Sequence, residues 1–258
     1  MPRSWIVTCA PILVIAASIP ARAQSAPPLS PLEISVACAP APRLAEGGGA
    51  ALTIVGSEDS VPRTAFDTHD TVVIGGGSKS GLAIGQRYYV RHGATASAYS
   101  MTSNGSTSGP RAVQTIGWIR ILAVNDTTSL ATVEHACQPI GSGDYLEPYA
   151  PPTIPAALTQ PGKLGDLDFS SPGRVLFGDE DRGSAGSGEF IVIDRGEKTG
   201  TSAGARLAIY RDLKTKDLPL TRIGEAVVVS VGPDVAVARI VHARDAVFAG
   251  DYLVPEKK

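Results

Sequence analysis

The sequence predicts an all-β protein made of two tandem copies of a small β-barrel-like repeat, joined by a proline-rich linker. Short runs rich in Val and Ile are bounded by Gly, Pro, Asn or Asp, as strands are. No amphipathic helical stripe extends over twelve residues. The 258 residues include 28 Gly and 20 Pro but only 5% aromatic residues, which favours many turns and an aliphatic core.

A glycine pattern marks the two copies. Residues 72–91 have the sequence VVIGGGSKSGLAIGQRYYVR, and residues 191–211 have IVIDRGEKTGTSAGARLAIYR. At an offset of 119 positions the aligned glycines are Gly77 with Gly196, Gly81 with Gly200 and Gly85 with Gly204. From Ile116 onward the offset is 107 and holds through a GDYL-x-P ending in both copies. The first copy therefore has 12 extra residues, which lie within 93–109.

This repeat divides the chain into segments. Residues 150–172 open with Ala-Pro-Pro-Thr-Ile-Pro, a composition typical of a linker. The predicted segments are a signal peptide (1–23), an N-terminal extension (24–50), β-repeat 1 (51–149), the linker (150–172) and β-repeat 2 (173–258).

The N-terminus has the pattern of a secretory signal. Arg3 precedes a mostly apolar stretch from Trp5 to Ile19, and Ala21-Arg22-Ala23 has the A-x-A form of a cleavage site. An uncleaved membrane anchor is the alternative, but the apolar stretch is short for a span. No later segment has the roughly 18 apolar residues that a span requires. The sequence predicts a periplasmic or secreted protein with no transmembrane segment after cleavage.

The cysteines fit an oxidising compartment. Cys9 leaves with the signal, so Cys38 and Cys137 remain as a pair. A disulfide is the prediction for this pair. Two buried free thiols are the alternative, because the sequence does not show whether the two Cα atoms come within bonding range.

The patterns of phosphate-binding loops and zinc sites are absent from the sequence. The repeated glycines are followed by a strand rather than by the helix that a phosphate-binding loop needs, and there is no H-x3-H, H-E-x2-H or C-x2-C spacing of zinc ligands. Acidic runs occur at Glu58-Asp59 and at Asp179-Glu180-Asp181, where we expect solvated loops, with a weak calcium site as the alternative. We expect Asp144 and Asp251 of the two GDYL motifs to cap turns.

Charge and chemistry together favour a binding protein. A formal net charge of −2 offers no basic field for nucleic acid or for an anionic membrane face. We expect no cofactor, no metal and no enzymatic activity, with an uncharacterised hydrolase as the second alternative. The expected partner is another protein or a second copy of the chain, and a glycan is the alternative ligand.

Two regions are candidates for partner binding. The polar insertion at 93–109 contains Tyr99, Met101 and Asn104, and long loops on rigid β scaffolds often carry recognition; a disordered hairpin tip is the alternative. The second region is aromatic and contains Tyr88, Tyr89 and Trp118. Tyr88 and Tyr89 are adjacent in a predicted strand and so point to opposite faces, which leaves one of them for a sugar or a partner. Packing on both faces is the alternative.

The order of these motifs resembles a known family. Each copy contains, in order, a strand, the glycine-rich turn, a variable hairpin, Ile-Gly, two strands and GDYL-x-P. This order is similar to that of the small β-barrel repeats found beside LysM domains in bacterial envelope proteins. The two copies also resemble the C-terminal domain of flagellar assembly protein T. The resemblance covers both repeats and implies an envelope location, so the expected protein partner is an envelope protein and the alternative glycan is peptidoglycan. The chain has no LysM segment of its own, so LysM-type peptidoglycan binding is not implied.

Overall fold

The computed structural model describes residues 28–45, 52–59, 61–92, 112–160, 162–216 and 218–257. It is mostly β and contains two β-rich units, so the predicted all-β class is confirmed. The two α-helices in the described part of the chain are short: α1 spans Pro31–Ala37 and α2 spans Ala156–Thr159. The predicted signal peptide lies outside the described residues.

The first unit is a six-stranded sheet that curls on itself. Its strands are β1 Ile54–Ser57, β2 Ala65–Phe66, β3 Thr71–Ile74, β4 Arg87–His92, β5 Gln114–Val124, β6 Ser129–Ala136, β7 Ile140–Gly141 and β8 Tyr145–Pro148. The sheet order is β1-β3-β6-β5-β4-β8, and β2 pairs with β7. The edge strands meet at an isolated bridge between Thr53 and Tyr145. The amide of Ile54 also donates to the carbonyl of Asp144 at 2.8 Å.

The second unit is a closed barrel. Its strands are β9 Gly173–Gly178, β10 Ser184–Ala185, β11 Phe190–Ile193, β12 Arg206–Arg211, β13 Thr221–Val231, β14 Ala236–Ala243, β15 Val247–Phe248 and β16 Tyr252–Pro255. The barrel order is β11-β14-β13-β12-β16-β9, closed by the pairing of β9 with β11, while β10 pairs with β15.

The two units have the same order of elements and bury corresponding side chains. Each has an aliphatic core, whose fully buried branched residues contribute roughly 1.5–3 kcal/mol each by removal from water. Corresponding core residues are Val72 with Ile191, Ile74 with Ile193, Val90 with Ile209, Ile121 with Val228, Val133 with Ile240 and Leu146 with Leu253.

Steric constraints account for the repeated glycines. A Cβ on Gly196 would lie 2.5 Å from the carbonyl oxygen of Gly232, in the turn between β13 and β14, and Gly77 approaches the corresponding turn at Asn125. Real Cβ atoms do not approach backbone oxygens this closely. Gly81 follows with φ of +80°, a left-handed conformation that glycine adopts without steric cost. A short 3-10 turn, Ser78–Ser80, lies between them.

The N-terminal extension packs between the two units. We call its described part, residues 28–45, the N-terminal clamp. A disulfide joins Cys38 at the end of α1 to Cys137 after β6, with the two Cα atoms 5.7 Å apart. The amide of Ala41 donates to the carbonyl of Val113 at 2.9 Å. The clamp is therefore both covalently and non-covalently attached to the first unit.

The other side of the clamp covers the outer face of the second unit. Val36, Ala39 and Leu44 pack there, together with Ala112, which precedes β5, and Leu158 of α2. The residues that they cover are Phe177, Phe190, Val192, Val229, Val235 and Val237. We call this contact the clamp interface. It fixes the two units to each other through a shared apolar cluster.

The segment predicted as a linker lies along the second unit. The Arg206 guanidinium donates to the carbonyls of Ala157 at 3.1 Å and Gln160 at 2.8 Å. The ring of Phe169 contacts that of Tyr210, with centroids 5.4 Å apart. This segment therefore adds a layer to the barrel surface.

Candidate partner-binding surfaces

An aromatic cluster occupies the outer face of the first unit. Tyr89 on β4 and Trp118 on β5 are cross-strand partners. The Tyr149 ring lies 4.7 Å from Tyr89 and 6.0 Å from Trp118 between centroids. His135 on β6 stacks on Trp118 at 4.7 Å with an interplanar angle of 24°. Such ring pairs are worth about 0.5–1.5 kcal/mol beyond their buried area, so the cluster is a packed element of the sheet surface.

The N-terminal clamp covers this cluster. Tyr89 is 8% exposed and Trp118 is 6% exposed, and both belong to one apolar cluster with Ile34, Ala37 and Cys38. These two predicted binding residues are therefore not accessible to a ligand while the clamp is in place.

Tyr88 lies on the opposite face of β4 from Tyr89. It packs against the core of the first unit, and its hydroxyl donates to the Gln86 side chain at 3.0 Å. The adjacent tyrosines thus pack on both faces of the strand, which was the alternative to partner binding. Tyr99, Met101 and Asn104 lie outside the described residues, so their role stays a prediction.

The charged groups beside the aromatic cluster are held in fixed pairs. The Arg91 guanidinium lies 4.5 Å from the Tyr89 ring centroid and donates to Glu147 at 3.0 Å. Burial lowers the pKa of Arg91 to about 10, which still leaves it charged at neutral pH. Burial and, to a lesser extent, Tyr149 raise the pKa of Tyr89 to about 12, while Arg91 opposes the shift. Neither group is poised for proton transfer near neutrality.

The two GDYL aspartates cap turns, as expected. The amide of Gly141 donates to the Asp144 carboxylate at 2.6 Å, and the amide of Phe248 donates to Asp251 at 2.8 Å. Both carboxylates are buried. Arg211 donates twice to Asp251, at 3.0 and 2.7 Å. At the corresponding place on β4, His92 Nδ1 lies 2.6 Å from Asp144. Corresponding contacts therefore cap a turn in each of the two units.

The acidic runs carry arginine partners, which lowers their capacity for calcium. Asp59 accepts from Arg63 at 2.6 Å, and Arg63 also pairs with Asp70 at 3.1 Å. Arg182 and Glu189 repeat the second pair in the other unit at 3.1 Å. Calcium prefers six to eight oxygen ligands, whereas Asp59 shares the Arg63 guanidinium with Asp70, and Arg182 lies 3.9 Å from Glu180 of the second acidic run.

Asp179, in the acidic run of the second unit, has an altered acidity. Burial raises the pKa of this carboxyl to about 6, and the neighbouring Glu180 and Glu189 carboxylates act in the same direction. The backbone amide of Glu180 donates to it at 2.9 Å and partly opposes the shift. The group therefore titrates close to neutrality.

The glycine-rich turns do not present free amides to a phosphate. The amides of Ser78 and Lys79 donate to the carbonyls of Asn125 and Asp126, at 2.8 and 3.2 Å. The Lys79 ammonium pairs with the Asp126 carboxylate at 3.1 Å. These donors hold the crossing against the neighbouring hairpin turn.

One set of potential metal ligands converges within the described part of the chain. The ligand atoms of Cys38, His135 and Cys137 all lie within 4.8 Å of one another, and the three residues are half-buried. Both sulfurs are joined in the disulfide. Beside this set is a cleft of about 450 Å³, and its lining includes Arg63, Phe66, Asp67, Asp70, Cys137 and Gln138.

A partly exposed apolar row crosses the outer face of the first unit. Val73 on β3 is opposite Leu130 on β6, which is opposite Ala123 on β5. Val55 and Leu122 on the same unit are 55% and 41% exposed. We call these five residues the apolar row. In the second unit the counterparts of Val73, Leu122 and Leu130 are Val192, Val229 and Val237, which the clamp interface buries.

Sequence reasoning did not identify the apolar row or the clamp. A helix signal was present in the extension, because Ser30, Pro31 and Glu33 match a capping box with proline at the first helical position. No local sequence pattern indicated which surface this helix covers.

No protein-family model and no curated protein matches this chain. No helix in the described ranges is long and apolar enough to cross a membrane. The resemblance to LysM-associated repeats and to the flagellar assembly domain therefore stays a prediction, and any functional assignment depends on the geometry above.

Proposed function

We propose that this chain is an exported, non-catalytic scaffold or assembly protein of the bacterial cell envelope that acts through protein–protein contacts. The observation that best supports this proposal is the apolar row. The same face of the second unit is covered by the N-terminal clamp, whereas Val55 and Leu122 of the first unit are exposed to solvent. An exposed apolar face on a β scaffold is typical of a surface that meets another protein.

Rigid coupling of the two units supports a scaffold role. The clamp is bonded to the first unit through Cys38 and Cys137 and shares an apolar cluster with the second. A bound partner would therefore be held at a set distance and orientation from the second unit. Export to the periplasm or beyond is part of the proposal, and it agrees with the disulfide and with the predicted signal at 1–23.

The glycan-binding alternative has less support from the geometry. Sugar-binding sites commonly offer an accessible aromatic face, but Tyr89 and Trp118 lie under the clamp. For a hydrolase, the buried carboxylates Asp144 and Asp251 are poor candidates for catalytic acids, because both already cap turns.

Site-specific photo-crosslinking tests the proposal in the native envelope. A photoreactive residue at Leu122 reports on the apolar row, and one at Val241, which is 37% exposed on β14 and lies outside the row, is the matched control. We expect a defined protein adduct from position 122 and none from position 241. Leu122→Asp should abolish recovery of that partner, while Val241→Asp should retain it.

The cross-linked products distinguish the possible partners. An adduct of twice the chain mass identifies a second copy as the partner, and an adduct with another envelope protein identifies that protein as the partner. Co-sedimentation with purified sacculi that does not depend on Leu122, without any protein adduct, would contradict the scaffold proposal and favour peptidoglycan binding.

A further inference from the structure

We propose that Cys38, His135 and Cys137 form a redox-gated zinc site, in which the reduced cysteine pair and the imidazole bind one Zn²⁺. The ion would replace the disulfide as the link between the N-terminal clamp and the first unit. This inference does not depend on the scaffold proposal.

The distances suit zinc. The three ligand atoms lie within 4.8 Å of one another in the oxidised structure. Zinc–sulfur bonds of about 2.3 Å and zinc–nitrogen bonds of about 2.0–2.1 Å place the ligands of a tetrahedral ion roughly 3.5–3.8 Å apart. The imidazole therefore needs only a small approach, and the sulfurs separate once the bond between them is broken. Two thiolates and one imidazole are a donor set that zinc prefers over calcium or magnesium.

The surroundings hold the three ligands in place. His135 stacks on the buried Trp118 ring, which orients the imidazole. The amide of Cys38 donates to the carbonyl of Ile34 at 2.9 Å, and the amide of Cys137 donates to that of Ile116 at 2.9 Å. These backbone bonds therefore position both cysteines alongside the disulfide bond. Three protein ligands leave a fourth position for water.

An access route is present. Cys137 lines the cleft of about 450 Å³ that also contains Arg63 and Asp70. A metal ion, or the thiol of a reductant, can approach Cys137 from this side. Burial of the three ligands is only partial, so exchange does not require unfolding of the sheet.

The chemistry balances with a dithiol reductant. A dithiol attacks the Cys38–Cys137 disulfide through a mixed disulfide, transfers two electrons and two protons, and leaves as its own disulfide. The two cysteine thiols then lose their protons to solvent as their thiolates bind Zn²⁺, and neutral His135 supplies its nitrogen lone pair. Oxidation by a disulfide-bonded oxidant returns the sulfurs to the starting state and releases the ion.

The duplication supplies a matched control. His242 is the counterpart of His135, but the counterpart of Cys137 is Arg244, so the second unit lacks the thiolates. His242→Gln therefore removes an equivalent histidine without touching the proposed site, whereas His135→Gln removes one ligand.

Cobalt spectroscopy of the full chain carrying Cys9→Ser, which leaves Cys38 and Cys137 as its cysteines, tests the proposal. Co²⁺ is added without oxygen to protein that has been reduced and freed of reductant, and Zn²⁺ is used to displace it. We expect one Co²⁺ per chain with a sulfur-to-cobalt charge-transfer band in the reduced protein and none in the oxidised protein. His135→Gln should weaken binding at least about tenfold, His242→Gln should leave it unchanged, and Cys137→Ser should abolish the charge-transfer band.

Clamp position gives a second readout. With Trp5→Phe, Trp118 is the one tryptophan of the chain and lies under the clamp. Reduction should shift its emission to the red, and Zn²⁺ should reverse the shift. Absence of the thiolate band in reduced protein that keeps its β circular dichroism, or equal affinities for the two histidine variants, would overturn the proposal.

Discussion

Gly232→Ala should separate the N-terminal clamp from the second unit. A Cβ at this position would overlap the carbonyl oxygen of Pro42, well inside the 3.0 Å that real Cβ atoms respect. The obstacle is backbone, so no rotamer change relieves it. The clamp must move by more than about 1 Å to restore a normal contact.

The turn itself should tolerate a side chain. Its counterpart in the first unit is Asn125, which carries a side chain at the same place in its turn. Within its own hairpin, a Cβ on Gly232 would approach the carbonyl oxygen of Val235 to 3.3 Å. The two turns are also closed by the same backbone bond. The amide of Gly232 donates to Val235 at 2.9 Å, and that of Asn125 donates to Thr128 at 2.9 Å. Any large loss of stability therefore comes from the clamp interface.

The expected magnitude follows from overpacking. Forcing one methyl group into a packed contact costs typically about 1–3 kcal/mol. The upper part of that range is expected because displacement exposes Phe190 and Val237, which the clamp interface buries. Asn125→Ala is the control and should change the free energy of unfolding by less than about 0.5 kcal/mol.

Urea unfolding and hydrogen exchange measure the effect. In Gly232→Ala we expect a lower free energy of unfolding and faster amide exchange in β14, with the core of the first unit unchanged. A loss equal to that of Asn125→Ala, or exchange that stays slow at the clamp interface, would refute the reasoning that this close approach holds the units together.

Three further predictions follow from particular contacts. Replacing both Cys38 and Cys137 by Ser should cost about 2–4 kcal/mol of unfolding free energy, since the bridge closes a loop with a sequence separation of 99; thermal unfolding of oxidised wild type and the variant checks this, and equal midpoints would contradict it. Burial raises the pKa of Asp179 from 3.8 to about 6, so the folded state binds this proton more tightly than the unfolded state. The stability that this provides is complete below about pH 4 and is lost as the pH rises through 6. The free energy of unfolding of Asp179→Asn, relative to that of wild type, should therefore rise by about 1–3 kcal/mol between pH 4 and pH 8. Urea titrations at the two pH values measure it, and a difference between the proteins that does not change with pH would count against it. Asp251→Asn should cost about 2–3 kcal/mol because it disrupts a buried carboxylate with two guanidinium bonds. Asp245→Asn, whose side chain is 61% exposed, should change little, and similar losses for the two would show that burial is not decisive.

Much of the fold followed from local pattern. The Val/Ile-rich runs that open the two glycine patterns lie in β3 and β11, because short aliphatic runs bounded by Gly or Asp favour strands. The two-residue strands β2 and β7 were not predicted, since a pairing of two residues leaves no periodic signal.

The sequence by itself determined the all-β class, the spacing of the glycine-rich turns and the presence of a cysteine pair outside the predicted signal. These depend on side-chain periodicity, on backbone sterics at positions such as Gly77 and on residue type, all of which are local. Only the tertiary structure decided that the clamp covers Tyr89 and Trp118 while Leu122 stays exposed. An outward-facing strand residue has the same local pattern whether solvent or a distant segment covers it, so exposure is set by which parts of the chain meet.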